Sequence, residues 1–485
     1  MNAVPGNFGL LAPVTAGLRW REVTGDGAVV QAMLTAEMAW TRVLEDAGLA
    51  PEGTAAAVRE AAQKGDFDPA VLAAESQGAG NPVIPIVAQL RTLVARHDPA
   101  AAGSVHASLT SQDVLDTALM WVCRNAVAML REELAGAAAA LAGLARTHAD
   151  TLQAARTLTQ HSLPSTFGLK AGQWFHGLAA AASRLDAMAF PIQFGGAAGT
   201  LAAGKVLARK AGTDPFALAD SWAAELGLAG ATAPWHTNRT AVTALGDALV
   251  AVTDAAGKIA NDVLLLCRPE FGELAEPLAA GRGVSSAMPQ KQNPVLSVLI
   301  RSAAVAAPLQ GAQLHVAAAL AVDERPDGAW HTEWSALRTL LDLCGGAAAA
   351  VRELAEGLRV FPDAMHRNLE LSGPLLLSEA VGAAVVPLFD TGLATGGKAR
   401  FQAVVDQSLQ GRPGEQGAEF ARLLRQEIPR ELMSDAELAA LLDPAGYLGE
   451  SAAIIERILA AHPQWAQEPT PHGMQQTAPK GAGHE

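Results

Sequence analysis

The chain has 485 residues, of which 50% are hydrophobic and 17% charged, so it can bury a large core and is not intrinsically disordered. Its net charge of -14 argues against a surface for nucleic acid or for an anionic membrane. The three cysteines lack paired spacing, which excludes a disulfide framework and a cysteine zinc site. Alanine-rich runs with few aromatic residues are typical of long helices that pack closely.

The first 105 residues predict short helices interrupted by glycine and proline, as at residues 78–82. The N-terminus has neither the basic start nor the continuous apolar stretch of a signal peptide. We therefore expect a cytoplasmic protein. Residues 302–322 carry no charge and are long enough for a membrane span, but Gln310, Gln313 and His315 favour a helix buried among other helices.

Four later segments have the apolar periodicity of long helices. They begin near residues 111, 242, 294 and 330, and a kink is expected at Pro308. The clearest seam alternates steps of three and four residues, through Val242, Leu245, Leu249, Val252, Ala256, Ile259, Val263 and Leu266. Such helices pack as a bundle, and their alanine-rich flanks suit helices of other subunits.

The sequence thus predicts an all-α protein with three helical domains. They are an N-terminal helical domain (1–105), a central long-helix bundle (106–358) and a C-terminal helical domain (359–463). The remaining residues, 464–485, have no periodicity and predict a disordered tail.

The strongest local signal is the stretch GRGVSSAMPQKQNPV at residues 281–295. Its glycines precede two hydroxyls, Ser285 and Ser286, and it closes with the cation of Lys291 and the amide of Asn293. Such a loop can bind and polarise a carboxylate. A proton on the carbon next to a carboxylate is very weakly acidic, so its removal needs fixed donors that stabilise the developing charge.

This stretch resembles the fumarase/aspartase signature S-S-x-M-P-x-K-x-N-P at all seven specified positions between Ser285 and Pro294. The chain is identified on that basis as a member of the fumarase/aspartase superfamily. The resemblance implies that Ser285 is the catalytic base. It also implies that Lys291 and Asn293 steady the substrate carboxylate as it becomes an aci-carboxylate dianion.

A second segment, residues 106–120, resembles the T-S-x-D-x-x-D-T-A pattern of the superfamily at the start of a long helix. Thr110 and Ser111 would cap that helix, whose free N–H groups and partial positive charge favour a bound carboxylate. Gln112 would add a side-chain amide. Taken alone, the segment is only a helix cap.

A third segment, residues 155–170, resembles the stretch G-R-T-x-x-Q-x-x-x-P-T-T-x-G. The resemblance assigns Gln160 to substrate binding. Fumarases and adenylosuccinate lyases have an acid histidine after the Arg-Thr pair, where this chain has Leu158. His161 would lie one turn away if the backbone is helical, so it is either the catalytic acid or a structural histidine.

Further stretches resemble bacterial 3-carboxy-cis,cis-muconate cycloisomerases, a branch of the superfamily. They are residues 193–203, 233–239, 322–334 and 443–451. The resemblance makes Arg239 and Arg325 candidate clamps for a substrate carboxylate, because arginine binds carboxylates in a bidentate fork. His236 and His331 are candidate lining residues. The chain departs from relatives at Thr240 and Gln292, where aspartate and arginine are common.

The resemblance predicts a cycloisomerase that interconverts 3-carboxy-cis,cis-muconate and 4-carboxymuconolactone in protocatechuate breakdown. The alternative is a β-eliminating lyase that releases fumarate from a nitrosuccinate-like or adenylosuccinate-like substrate. A helical scaffold that has lost activity is a third reading, which the retained Ser285, Lys291 and Asn293 argue against. The resemblance implies a homotetramer with active sites shared between subunits, a small polycarboxylate substrate, and no metal or organic cofactor.

Overall fold

The computed structural model describes residues 9–389, 396–412 and 414–467. The α-helices in this part of the chain are α1 (Arg21–Thr24), α2 (Asp26–Asp46), α3 (Thr54–Lys64), α4 (Pro69–Ala79), α5 (Val83–Ala95), α6 (Pro99–Ala102), α7 (Ser111–Thr147), α8 (Phe167–Asp186), α9 (Ala202–Ala208), α10 (Pro215–Leu226), α11 (Thr240–Leu266), α12 (Val295–Ala319), α13 (Gly328–Gly357), α14 (Pro362–Glu370), α15 (Ser378–Phe389), α16 (Gly397–Ser408), α17 (Gln416–Glu427), α18 (Asp435–Leu441) and α19 (Ser451–Ala461).

Four short strands accompany them: β1 (Leu152–Thr157), β2 (Gln160–Thr166), β3 (Leu274–Ala275) and β4 (Arg359–Val360). Strands β1 and β2 form an antiparallel hairpin, and β3 pairs antiparallel with β4. The expected all-α class is therefore confirmed, with two small sheets added to it.

The four predicted long helices are present as α7, α11, α12 and α13. All eight seam positions of α11 are buried, each at 3% exposure or less. A stripe with steps of three and four returns to one face of a helix, and burial of that face explains why the pattern was visible in the sequence. Helix α12 continues through Pro308.

The chain forms two compact units, each assembled from segments that are distant in sequence. The first unit comprises residues 1–133, 181–257 and 299–350, and the second comprises residues 134–180, 258–298 and 351–485. The division of the chain at residues 105 and 358 stays a prediction.

The core of the first unit contains a cluster of three aromatic rings, Trp40, Phe194 and Trp222. The indole of Trp222 donates to the carbonyl of Ala36 over 3.0 Å, and the indole of Trp40 donates to the carbonyl of Ala107 over 2.8 Å. Buried indoles need such acceptors. The second bond fixes the backbone just before α7 begins.

In the second unit, α15, α16 and α17 share a small apolar core that includes Leu377, Phe389 and Phe420. At the end of the described chain, Trp465 and Ala466 are buried. These two residues belong to the segment expected to be a disordered tail. Residues 468–485 of that segment lie outside the described residues.

One helix in the described part, α12, is long and apolar enough by length and composition to cross a membrane. Helix α14 and the segment Gly373–Phe389 pass the same test only if they are joined across a bend of 81°. Length and composition are weak evidence in either case. Several large apolar side chains of α12 are exposed, among them Val305, Leu309 and Val316.

Candidate active site

In the first unit, the start of α7 is held by the buried carboxylate of Asp113. Asp113 accepts from the backbone N–H of Thr110 over 3.0 Å, so the capping bond comes from the carboxylate of Asp113, whereas the sequence predicted caps from Thr110 and Ser111. It also accepts from the backbone N–H groups of Gly195 and Gly196, at 2.9 and 3.0 Å. His236 Nε2 lies 3.0 Å from the same carboxylate. These four contacts of Asp113 hold the first turn of α7 against the segment that contains Gly195 and Gly196.

Two of the predicted site residues, Thr110 and Gln112, contact Arg325 at the N-terminus of α7. Arg325 donates from Nη1 to the hydroxyl of Thr110 over 2.9 Å and from Nε towards the amide oxygen of Gln112 over 3.4 Å. Gln112 is buried, and its amide N–H groups donate to Asp116 and to the carbonyl of His236. Thr110 and Arg325 therefore remain available to a ligand at the helix N-terminus, whereas Gln112 is committed to the protein interior.

Arg239, predicted to clamp a substrate carboxylate, is instead buried in an ion-pair network. Its guanidinium binds Asp116 at 2.7 and 3.0 Å and Glu333 between 2.6 and 3.1 Å, and it reaches the carbonyl of Trp235 over 3.4 Å. All five N–H groups of the guanidinium are thereby occupied. Only 3% of the residue is exposed. The geometry assigns Arg239 a structural role.

The pKa values in this network follow from one cation facing two carboxylates. Burial by itself lowers the pKa of Arg239, but Asp116 and Glu333 more than offset it, and the net shift is upward. Burial raises the pKa of Glu333 and Asp116 adds to that rise, while Arg239 opposes it. The arginine therefore stays charged.

The two candidate lining histidines lie in different settings of the first unit. His236 is buried, and its Nδ1 has no partner among the described residues. His331 is exposed, with Nε2 2.8 Å from the carbonyl of Gly80 and Nδ1 3.1 Å from the carbonyl of Asp327. Only His236 contacts the capping carboxylate of α7.

A further histidine, His106, lies just before the cap and was not predicted. Its backbone N–H and its Nδ1 both face the carboxylate of Glu37, at 2.9 and 2.6 Å, and Glu37 is fully buried. His106 and Ser108 both have positive φ, at 60° and 65°. Such strain in residues other than glycine is common at functional sites. The sequence signal that could have indicated this pair is Glu37, a single acidic residue within an apolar stretch of α2.

In the second unit, the segment near residue 160 is not helical, as the argument about His161 required, but forms the β1–β2 hairpin. Leu158 and Thr159 form its turn with φ of 48° and 71°, and the side chain of Leu158 is 96% exposed. His161 pairs with Arg156 across the hairpin, so it does not lie one helical turn from Leu158. Gln160 is exposed beside the turn.

His161 is a poor candidate for a proton donor in this setting. Its Nδ1 lies 3.0 Å from the hydroxyl of Ser372. Burial lowers the pKa of His161, and the charge of Arg156 lowers it further, while Glu273 opposes the shift. The imidazole is therefore mostly neutral at neutral pH.

The hairpin is anchored by Glu273, which is fully buried and was not predicted. Glu273 accepts from Gln153 and Arg156, each at 2.5 Å, and from Asn368 at 2.7 Å. The guanidinium of Arg156 also lies over the ring of Phe271, 5.0 Å from its centroid. The arginine of the Arg-Thr pair thus holds the hairpin in place.

The serine loop, residues 281–295, closes on itself at its base. The backbone N–H and the side-chain amide of Asn293 both donate to the carbonyl of Gly283, at 2.9 and 3.1 Å. Val284 and Gln292 form an antiparallel bridge just above. Gly283 has a φ of 67°, and a Cβ there would overlap the carbonyl oxygen of Asn293. Only glycine fits that position.

Within this loop, Ser285 Oγ accepts from two backbone N–H groups, those of Met288 at 3.1 Å and Ala287 at 3.4 Å. Ser285 is half-buried, whereas Ser286 and Lys291 are exposed. The ammonium of Lys291 has no acceptor in the part of the chain that the structure describes. The loop therefore presents one hydroxyl that already receives hydrogen bonds and one free cation.

Comparison with known proteins identifies the family to which this chain belongs. The model of the family described as Lyase matches residues 18–309. The chain belongs to the fumarase/aspartase superfamily. It is an enzyme of that superfamily, and the resemblance drawn from the serine loop is confirmed.

The chain is 45% identical to the nitrosuccinate lyase of Streptomyces davaonensis, over 93% of this chain and 94% of the relative. It is 38% identical to the 3-carboxy-cis,cis-muconate cycloisomerase of Pseudomonas aeruginosa, over 97% and 100%. The crystal structure of the 3-carboxy-cis,cis-muconate lactonizing enzyme from Pseudomonas putida matches with a TM-score of 0.83 at 33% identity, covering 94% of this chain and 99% of that chain. The relatives thus include both a nitrosuccinate lyase and 3-carboxy-cis,cis-muconate cycloisomerases, the two kinds of enzyme considered from the sequence.

Proposed function

We propose that the chain is a β-eliminating lyase that releases fumarate and nitrite from nitrosuccinate. The observation that carries the proposal is the 45% identity to a nitrosuccinate lyase over 93% of the chain, against 38% to a cycloisomerase. Leu158, an exposed apolar residue in the hairpin turn at the position of the acid histidine of fumarases, fits the same reaction. Without that histidine, the leaving group has to depart as a stable anion.

The first step is removal of a proton from the carbon next to the substrate carboxylate by Ser285. The C–H electron pair moves into the carboxylate and gives an aci-carboxylate dianion, which Lys291 and Asn293 stabilise. A serine base has to lose its own proton first. The backbone N–H groups of Ala287 and Met288 favour that alkoxide, because hydrogen bonds to a charged form lower its pKa.

In the second step the dianion collapses, the C–N bond breaks, and its electron pair leaves with nitrite. Nitrite is a weak base, so no proton has to be delivered to it. A mostly neutral His161, held by Ser372, is compatible with this step because no acid is required.

The second substrate carboxylate would lie at the N-terminus of α7, near Thr110, Ser111 and Arg325. Free N–H groups, a hydroxyl and a guanidinium together suit a carboxylate. Gln160 stays a proposed contact because it is exposed beside the hairpin turn. Gln112 and Arg239 are left out, since their donors are used inside the protein.

The proposal includes a homotetramer with active sites shared between subunits, in the cytoplasm. The exposed apolar side chains of Val305, Leu309 and Val316 on α12 support an oligomer, because a subunit interface would remove them from water.

A second candidate is the cycloisomerase of protocatechuate breakdown, which the 38% identity and the TM-score of 0.83 support. An internal carboxylate would be the departing group in the direction of ring opening, and it also needs no strong acid. Leu158 is therefore compatible with both reactions.

The two candidates are separated by supplying each substrate to the purified protein. With nitrosuccinate, we expect fumarate absorbance and nitrite, measured by a diazotisation colour reaction, to appear in equal amounts. With 3-carboxy-cis,cis-muconate, we expect the diene absorbance to persist. Loss of the diene without nitrite release from nitrosuccinate would replace the proposal with the cycloisomerase.

A further inference from the structure

The first unit contains a cavity of about 290 Å³ between α2, α4, α7 and α13. Its interior is mostly apolar, with Met33, Leu72, Leu115, Leu119 and the ring of Trp334 among the lining residues. None of the residues given a role in the proposed reaction lines it, whereas His331, a candidate lining residue from the sequence, belongs to this cavity. The volume lies just below the range of about 300–1,000 Å³ that is usual for drug-sized ligands, which suits a molecule with one ring.

The polar residues of this cavity come from one face of α13. His331, Ser335 and Arg338 follow at steps of four and three residues and therefore lie on the same side of the helix. The two nitrogens of His331 face the carbonyl oxygens of Gly80 and Asp327. A carbonyl only accepts, so a nitrogen of this ring bonds to its carbonyl only while it carries hydrogen.

Arg338 supplies a cation at the edge of the cavity. It binds Asp26 over 2.6 Å, but both side chains are exposed, at 38% and 69%. Exposed ion pairs of this kind contribute little and exchange partners readily. The cavity is therefore apolar over most of its wall and has one exposed guanidinium at its edge. This combination complements a ligand that is apolar over most of its surface and carries one negative charge.

We propose that this cavity binds a small aromatic monocarboxylate. The ring lies between Leu72 and Leu119, and the carboxylate binds Arg338 beside His331.

The site goes beyond the proposed function and does not depend on it. Leu115 lies four residues after Ser111 and therefore shares its face of α7. A ligand in the cavity packs against the helix whose N-terminus carries Thr110. Binding is therefore expected to stabilise the protein.

The experiment is a titration of the full chain with benzoate, followed by tryptophan fluorescence and by the melting temperature. Benzamide, which has the same ring without the charge, is the matched ligand. We expect saturable binding of benzoate, a rise in melting temperature, and binding of benzamide that is weaker by about tenfold or more. Trp334→Phe should keep benzoate binding while losing most of the fluorescence change.

Two variants test the location. Arg338→Gln should weaken benzoate binding by about tenfold or more, whereas Arg352→Gln, which removes another surface arginine of α13, should leave it within about twofold. Ala73→Trp, at an exposed lining position of α4, should fill the cavity and abolish binding. Absence of saturable binding in the parent protein would overturn the proposal. Binding of benzoate by the Arg338→Gln and Ala73→Trp variants as tightly as by the parent protein would also overturn it.

Discussion

The backbone N–H of Met288 donates to Oγ of Ser285 over 3.1 Å, so the proposed base receives a hydrogen bond from its own loop. This donor is fixed in place before any substrate arrives. Its position depends on the closed base of the serine loop, where Asn293 bonds to Gly283. The loop's geometry and the reactivity of the serine are therefore linked.

The first prediction concerns that loop base. Gly283→Ala should lower kcat by about tenfold or more, because the new methyl group overlaps the carbonyl of Asn293 and displaces the donors to Ser285. Gly281→Ala is the matched control. Gly281 also has a positive φ, at 77°, but its Cβ would point into open space. Equal losses in the two variants would mean that backbone strain alone, rather than loop closure, limits turnover.

The second prediction tests the role of Arg239. Arg239→Met should destabilise the protein by about 3–5 kcal/mol in urea unfolding, because Asp116 and Glu333 would remain buried without their cation. Arg42→Met, which breaks an exposed pair with Asp46, should leave stability nearly unchanged. A raised KM with unchanged stability in the Arg239 variant would restore the substrate clamp predicted from the sequence.

The third prediction is a pH dependence of stability. Burial lowers the pKa values of His161 and His148 below the usual value of about 6.5, so the unfolded chain binds more protons than the folded one in that window. The contribution of these two neutral histidines to the stability of the fold is therefore complete above about pH 6.5 and is lost as the pH drops. The melting temperature should decrease between about pH 7.5 and about pH 5.5.

His161→Gln identifies the contribution of His161 to this decrease. The variant should lose less of its melting temperature on acidification than the parent protein does. His366→Gln, at an exposed position paired with Glu370, should behave like the parent. An identical decrease in the parent and in the His161 variant would show that other groups carry the dependence.

The fourth prediction concerns the leaving group. Leu158→His should leave nitrite release from nitrosuccinate within about threefold, because nitrite needs no acid. It should raise elimination from adenylosuccinate, whose amine leaving group has to be protonated, by about tenfold or more, and Leu158→Gln should not. A large gain in nitrite release with histidine would show that the parent reaction is limited by a missing acid.

The helices and the signature could be predicted from the sequence, whereas the partners of buried charges could not. The seam of α11 was visible because its burial depends on a local repeat. Arg239 looked like a substrate clamp because its partners Asp116 and Glu333 lie 123 and 94 positions away. No local pattern connects such residues.

The β1–β2 hairpin was missed for a related reason. The segment around Leu158 is short, and its two left-handed turn residues, Leu158 and Thr159, are not glycine, asparagine or aspartate. The hairpin is stabilised by Glu273, more than a hundred positions further along the chain. The chemistry of the serine loop, in contrast, lies within nine consecutive positions and was predictable from them.

The measurement that tests the central proposal most directly is nitrite release from nitrosuccinate by the Ser285→Ala variant, with Ser286→Ala as the control. We expect Ser285→Ala to lose activity by about a thousandfold or more, with an unchanged melting temperature and assembly, because the base is gone while the exposed loop tip stays intact. Ser286→Ala should retain most of its activity. Comparable nitrite release by the Ser285→Ala variant and the parent protein would show that Ser285 is not the base.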